Sequence, residues 1–263
     1  MKAQKAITPL KGRINPYALS YEQRYNTEWS GSTGFSYLTR QELINLSKRF
    51  DLLTNNNLQN HIDFIDASCC PEIVNPYMAR TSLFNNFIST PQGGFTNSDW
   101  TYNSGWACNG AGFILWNYAP KIDGIFFQSN NAGAVGSISG LDTNQFNCPF
   151  GAYDTQSPVG QVYLFNFNGS LYSACNTSDI LNSGVSVSYN TFSVSYDGTS
   201  VTTKIGSNTI TNIKSFDNTC NVDICFGNRS GAFTVQSGNL QFLAFGDNSI
   251  DKDLIYNLLT TPL

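Results

Sequence analysis

The chain has 263 residues, room for one large β-rich domain with extensions. It is 41% hydrophobic, enough for a sizeable core, while only 12% is charged, so solubility rests on amides and hydroxyls. A net charge of −4 and a pI near 4.9 exclude a nucleic-acid binder, which needs phosphate-neutralising charge. Charge is unevenly spread: residues 1–49 carry net +5 and the remainder net −9, the pattern of a basic arm docked on an acidic surface or of a solvated tail. No apolar run approaches the roughly 20 residues of a membrane span. The early lysines precede no apolar segment, so no signal peptide is expected, and synthesis and folding in a cytoplasm are. Seven scattered cysteines then predict reduced, mostly buried thiols, with no zinc spacing and no metal or cofactor.

Residues 1–38 hold Pro9, Pro16, Gly12, Gly31 and Gly34, which predict an extended arm for most of this stretch. Tyr17, Tyr21 and Tyr25 recur every four residues, so one short helix would align them on a face. Lys11, Arg13, Tyr17, Tyr21, Arg24, Tyr25 and Trp29 interleave rings and cations and are the candidate contacts for a partner surface. The other reading is that these rings pack on their own domain. Residues 39–80 form a helical lead-in. Thr39 to Glu42 is a capping box, followed by Leu43, Leu46, Phe50 and Leu53 at helical spacing. Leu58, Ile62 and Ile65 predict a second helix over 58–66, with Pro71 closing the segment.

From 81 to 263 the period changes to two. Runs at 113–118 and 125–127 read as buried strands, and Asn168-Gly169 joins strands at 161–167 and 170–175 in a tight hairpin. Val185, Val187 and Tyr189, then Phe192, Val194 and Tyr196, alternate with small polar residues before a turn at Asp197-Gly198. Strands every 8–12 residues with turn chemistry between them predict a sandwich or jelly roll, and the Ser/Thr alternation predicts one wet face.

The closing stretch carries the strongest family signal. Residues 240–245 are apolar on both faces, so this strand is covered on both. A helix capped by Ser249 or Asp251 follows, with Ile250, Leu254, Ile255 and Leu258 at helical spacing. This segment resembles the end of concanavalin A-like (laminin-G-like) jelly-roll domains, with Leu254 where that pattern has an acidic residue. The resemblance implies a mainly β fold: a concanavalin A-like jelly-roll sandwich behind an N-terminal extended arm and short helices.

Many such relatives are glycosidases, which need two carboxylates about the scissile bond. All four glutamates (Glu22, Glu28, Glu42, Glu72) precede residue 73, and the aspartates of the β region sit mostly in turn contexts, so no catalytic residue is expected. His61, the one histidine, has no signature nucleophile near it in sequence. Asp197, Asp217, Asn218, Asp247 and Asn248 supply oxygens that would suit calcium or simply turns. Trp100, Tyr102 and Trp106, in a loop-rich segment, are the candidate carbohydrate-binding residues, burial at a sheet edge being the alternative. Arm, helical lead-in and jelly roll together resemble virion structural proteins of tailed bacteriophages, such as the head fibre and decoration proteins of crass-like phages. That resemblance implies location in the virion, assembly as a trimer or dimer, attachment to capsid or other virion proteins through the arm, and outward display, with host-surface glycans as ligands if the domain is an adhesin. A tail fibre or receptor-binding protein, a free lectin and, last, a glycoside hydrolase are the alternatives.

Overall fold

The computed structural model describes residues 14–108, 110, 112–140, 147–153, 160–167, 170–177, 180–182, 191–227 and 238–263. Its first part runs α1 (Pro16–Trp29), α2 (Arg40–Asn55), β1 (Ile62–Asp66), α3 (Pro76–Ala79), β2 (Ser89–Gln92), β3 (Trp100–Thr101), β4 (Gly105–Ala107), β5 (Phe113–Trp116) and α4 (Pro120–Asp123). The second runs β6 (Ala132–Ser139), β7 (Asn147–Tyr153), β8 (Gln161–Phe167), β9 (Ser170–Cys175), β10 (Ile180–Asn182), β11 (Thr191–Tyr196), β12 (Ser200–Ile205), β13 (Asn208–Ile213), β14 (Cys225–Phe226), β15 (Asn239–Gly246) and α5 (Lys252–Thr260).

The strands form two antiparallel sheets packed as a sandwich, so the chain is mainly β. One sheet runs β13-β12-β11-β6-β15-β4-β3, with β1 also paired to β15; the other runs β10-β9-β8-β7-β14-β5-β2. β15 organises the first sheet. One edge pairs with β6; along the other, Leu240 pairs with Trp106 of β4 and residues 243–246 pair with β1. The layers meet ring on ring. Phe150 of β7 stacks on Phe192 of β11 at 5.4 Å, and Phe64 of β1 lies 5.1 Å from Trp116 of β5. Ser173 and Thr203 share a hydrogen bond of 2.8 Å across the same interface, so the polar atoms there are paired as burial requires.

Three local expectations need correcting. The run at 125–127, expected as a buried strand, is a bend with Ile125 67% exposed, because its N–H groups bind the Asp63 carboxyl instead of a strand ladder. The N-terminal region is helical from Pro16 to Trp29, where an extended arm was expected. Asn15 accepts the Tyr17 N–H as cap and Pro16 occupies the first helical position, where its missing N–H costs nothing. The predicted helix over 58–66 is a single 3-10 turn at Leu58–Asn60 followed by strand β1. Asn57 takes a left-handed conformation (φ 62°), which separates this turn from α2, and the edge of β15 supplies a backbone ladder that draws Ile62–Asp66 into a strand. Gly246 permits that approach, because a Cβ there would run into the His61 carbonyl oxygen.

α2 and α5 follow the expected pattern. Thr39 and Glu42 make both bonds of the capping box, at 3.2 and 2.6 Å. Asp251 caps α5 through the Asp253 and Leu254 N–H groups. β8 and β9 pair from Phe167↔Ser170 outward, flanking Asn168-Gly169 with no register slip. That turn itself, and the 185–189 alternation, lie outside the described residues.

Candidate functional site

The residues expected at a partner surface divide into three groups. Lys11 and Arg13 lie outside the described residues. Tyr21, Tyr25 and Trp29 are buried in the domain's own core: their polar tips donate to Met78 O (2.8 Å), Ser36 O (2.8 Å) and Thr81 Oγ1 (3.0 Å). They are interior anchors for α1, because a helix with rings every fourth residue presents one apolar face and must bury it. Tyr17 and Arg24 alone of this group reach the surface, Tyr17 being 41% exposed.

The carbohydrate candidates also separate. Trp106 is fully buried against Phe95 and cannot meet a ligand; its Nε1–H has no acceptor among the described residues. Trp100 is half-buried and donates to Ser68 O at 3.0 Å. Tyr102 remains exposed at the tip of the β3–β4 hairpin, its hydroxyl donating to Pro71 O. Sheet pairing explains the split, since β4 is an interior strand and its Trp106 side chain faces the core.

A concave site lies instead on the outer face of the seven-stranded sheet. Side chains alternate across a strand, so the outward positions on β5 are Phe113 and Leu115, with Ile114 and Trp116 inward. Cys225 of β14 pairs with Leu115 on one side and Gly151 of β7 on the other. Two small outward residues therefore sit between larger ones and leave a trough of about 400 Å³. Phe113 and Leu115 form one wall and Tyr153 another, with Gln92 and Asp223 at the rim. Beside Gly151 the same face carries Tyr163, in a fully buried apolar cluster with Cys148 and Ala174. The trough thus joins apolar walls to a carboxamide and a carboxylate, groups that can hydrogen-bond hydroxyls while the walls cover C–H faces. The Asp223 carboxyl is pushed above its ordinary value, first by desolvation and then by the like charge of Asp123.

His61 is not beside a free nucleophile. Its Nδ1 lies 2.7 Å from Asp247 Oδ2 and 3.2 Å from Ser249 Oγ, while Ser249 Oγ donates to Asp247 Oδ1 at 2.6 Å. Both contacts fall on one ring nitrogen and the serine proton already has the carboxylate, so the group latches β1 to the end of β15. Asp197, weighed for calcium, is saturated within its own turn. It accepts from Thr199 and Ser200, and the backbone bonds foremost hold its carboxyl down to about 2. Among the described residues no cluster of His, Cys, Asp and Glu has metal-holding geometry. Cys69, Cys70, Cys108 and Cys175 are free thiols, all but Cys108 buried. No described helix is long and apolar enough to cross a membrane.

No protein-family model matches the chain, and no curated protein matches its sequence. Among solved structures it is similar to a mutant Trypanosoma rangeli sialidase displaying trans-sialidase activity, with a TM-score of 0.50 and 11% identity over 85% of this chain. The chain spans 40% of that protein's length. Two structures of the binding domain of botulinum neurotoxin serotype D match over 64% of this chain at 12% identity and a TM-score of 0.37, covering 45% and 46% of their own lengths. At such identity the sialidase likeness bears on the fold, and it agrees with the β sandwich.

Proposed function

We propose that this chain is a non-enzymatic display module whose outer sheet face takes a saccharide. The observation that carries the reading is the trough between Phe113, Leu115 and Tyr153, where hydrogen-bonding groups stand at the rim of an apolar floor. A catalytic reading needs a second carboxylate facing the same bond. Asp123, the near neighbour of Asp223, opens instead into a different cavity alongside Tyr17 and Arg24, and its Oδ2 is tied to the Ala119 N–H at 2.7 Å. Fold likeness to a sialidase supports carbohydrate-related chemistry only as an analogy of architecture.

The setting we propose is the virion that the sequence resemblance implies. Residues 1–13 contribute Lys2, Lys5, Lys11 and Arg13 with no acidic residue, and they take the tethering role first assigned to all of 1–38. Assembly as a dimer or trimer, attachment to capsid or other virion proteins and recognition of host-surface glycans belong to the same proposal.

The test is a glycan array probed with the whole chain, with a reducing-sugar assay on every glycan retained. Binding without sugar release, lost in Phe113→Ala and kept in Tyr102→Ala, is the expected result. Release of sugar would replace display by hydrolysis; equal retention by Phe113→Ala would move the site elsewhere.

A further inference from the structure

Arg24 poses an electrostatic problem that the protein does not solve internally. It projects from the outer side of α1, its Nη1 donating to Ser20 Oγ at 2.9 Å and its Nη2 to Ser82 O and Leu83 O at 3.1 and 3.0 Å. Its Nε is buried with no acceptor. Every partner it has is neutral. Among the described residues the ion pairs are Arg49–Glu72 and Lys252–Asp253, with a His61–Asp247 contact besides, and none of these involves it. Burial lowers its pKa from the ordinary guanidinium value, and Tyr21 beside it is the one group acting in the other direction. A cation partly removed from water without a counter-charge is costly, and the usual remedy is an anion.

Space for that anion exists. Arg24 lines two neighbouring cavities of about 440 and 290 Å³ that share Ser20 and Asn86. Gln23 and Thr27 add amide and hydroxyl groups to the larger, and Phe87 and Ile125 give the smaller an apolar side. Two acids also line these spaces, Asp123, whose Oδ2 accepts the Ala119 N–H, and Glu28, whose charge acts on Arg80; neither forms an ion pair with Arg24.

We propose that Arg24 anchors a site for a carboxylate-bearing sugar, a uronic-acid type of ligand. The carboxylate takes the second Nη1–H, which the bond to Ser20 leaves over on the exposed side of the guanidinium, as charge-assisted pairing with arginine favours. The sugar hydroxyls meet Ser20, Gln23, Thr27 and Asn86. This site shares no lining residue with the sheet-face trough, so either can fail without the other.

Titration of the full chain with D-glucuronate, followed by saturation-transfer NMR with D-glucose and acetate as parallel probes, tests it. Glucuronate should bind, glucose should not, and acetate should compete weakly. Arg24→Gln should weaken glucuronate at least about tenfold, the loss expected for a hydrogen bond to a charged group. Asn86→Asp, an exposed loop change that folds whatever Arg24 contributes, should abolish binding and raise Tm by supplying the counter-charge in place. Phe113→Ala should leave glucuronate binding unchanged. Equal binding of glucose and glucuronate, or unchanged affinity in Arg24→Gln or Asn86→Asp, would overturn the proposal. So would a Glu28→Gln variant that loses as much Tm as Arg24→Gln, since the guanidinium would then already have its partner; acetate competing as well as glucuronate would overturn the sugar assignment.

Discussion

Asp66 sits between the two sheets, fully buried, accepting from the Ser68 N–H at 2.9 Å, from Ser68 Oγ and from Trp116 Nε1 at 3.2 Å. Desolvation outweighs those bonds and raises its carboxyl from 3.8 to about 7. The folded state therefore holds this proton more tightly than the unfolded chain. Its contribution to stability is complete below about pH 4 and is lost as pH rises through about 7. Asp66→Asn, whose one oxygen still accepts from Ser68 while its amide nitrogen faces the Trp116 Nε1–H, should remove that slope, as urea melts at several pH values would register. A wild-type profile that instead rises across this window and is copied by the variant would contradict the assignment. Asp63, three residues earlier, shows how a similar group is housed differently. Its carboxylate accepts the N–H groups of Ile125, Phe126 and Phe127 and the Tyr118 hydroxyl, all within 3.0 Å. Neither role was legible locally, because in Ile62-Asp63-Phe64-Ile65-Asp66 the spacing of Leu58, Ile62 and Ile65 mimics a helix. The partner strand lies some 180 residues on in the chain, and the partner decides the conformation.

At the scale of elements, Arg49 joins α2, the turn between β1 and α3, and α5, which the sequence keeps apart. From the buried face of α2 it pairs with Glu72 at 2.7 Å and donates to Leu258 O and Thr261 O at the end of α5. α5 has no basic residue in its own last turn, so Arg49 supplies the positive charge its C-terminus favours. Arg49→Met should cost about 3–5 kcal/mol, since it strands a buried carboxylate. Arg49→Met with Glu72→Leu should recover much of that in a denaturant double-mutant cycle; a double variant as unstable as the single would show that the carbonyl contacts dominate. α2 could be read from its capping box and apolar spacing because both are local signals. α1 could be read only as an alternative. Its tyrosine spacing was visible, but whether those rings face a partner or the core depends on Met78 and Thr81, more than 50 residues downstream. Tryptophan position misled in the same way: the loop-rich composition around Trp106 hides its pairing with Leu240.

Viewed whole, the molecule has no boundary at residue 38, because Tyr21, Tyr25 and Trp29 belong to the same continuous core as the sheets. Deleting 1–38 should therefore unfold the protein, whereas deleting 1–13 should, on the virion reading, abolish incorporation into particles. If the shorter deletion still enters particles at full occupancy, the tether lies elsewhere. The sandwich was legible from period-two strands and turn residues, which recur along the chain. Its trough was not, because Gln92, Phe113, Leu115, Tyr153, Asp223 and Cys225 come from separate segments and form no motif until the sheet assembles them. The depression itself comes from two small residues, Gly151 and Cys225, placed side by side by strand pairing. Hydrogen–deuterium exchange with an array-selected glycan puts the saccharide reading to its most direct test. The account predicts protection concentrated on residues 89–92, 113–116 and 222–226; protection confined to the hairpin around Tyr102, or no change on the seven-stranded sheet, would contradict it.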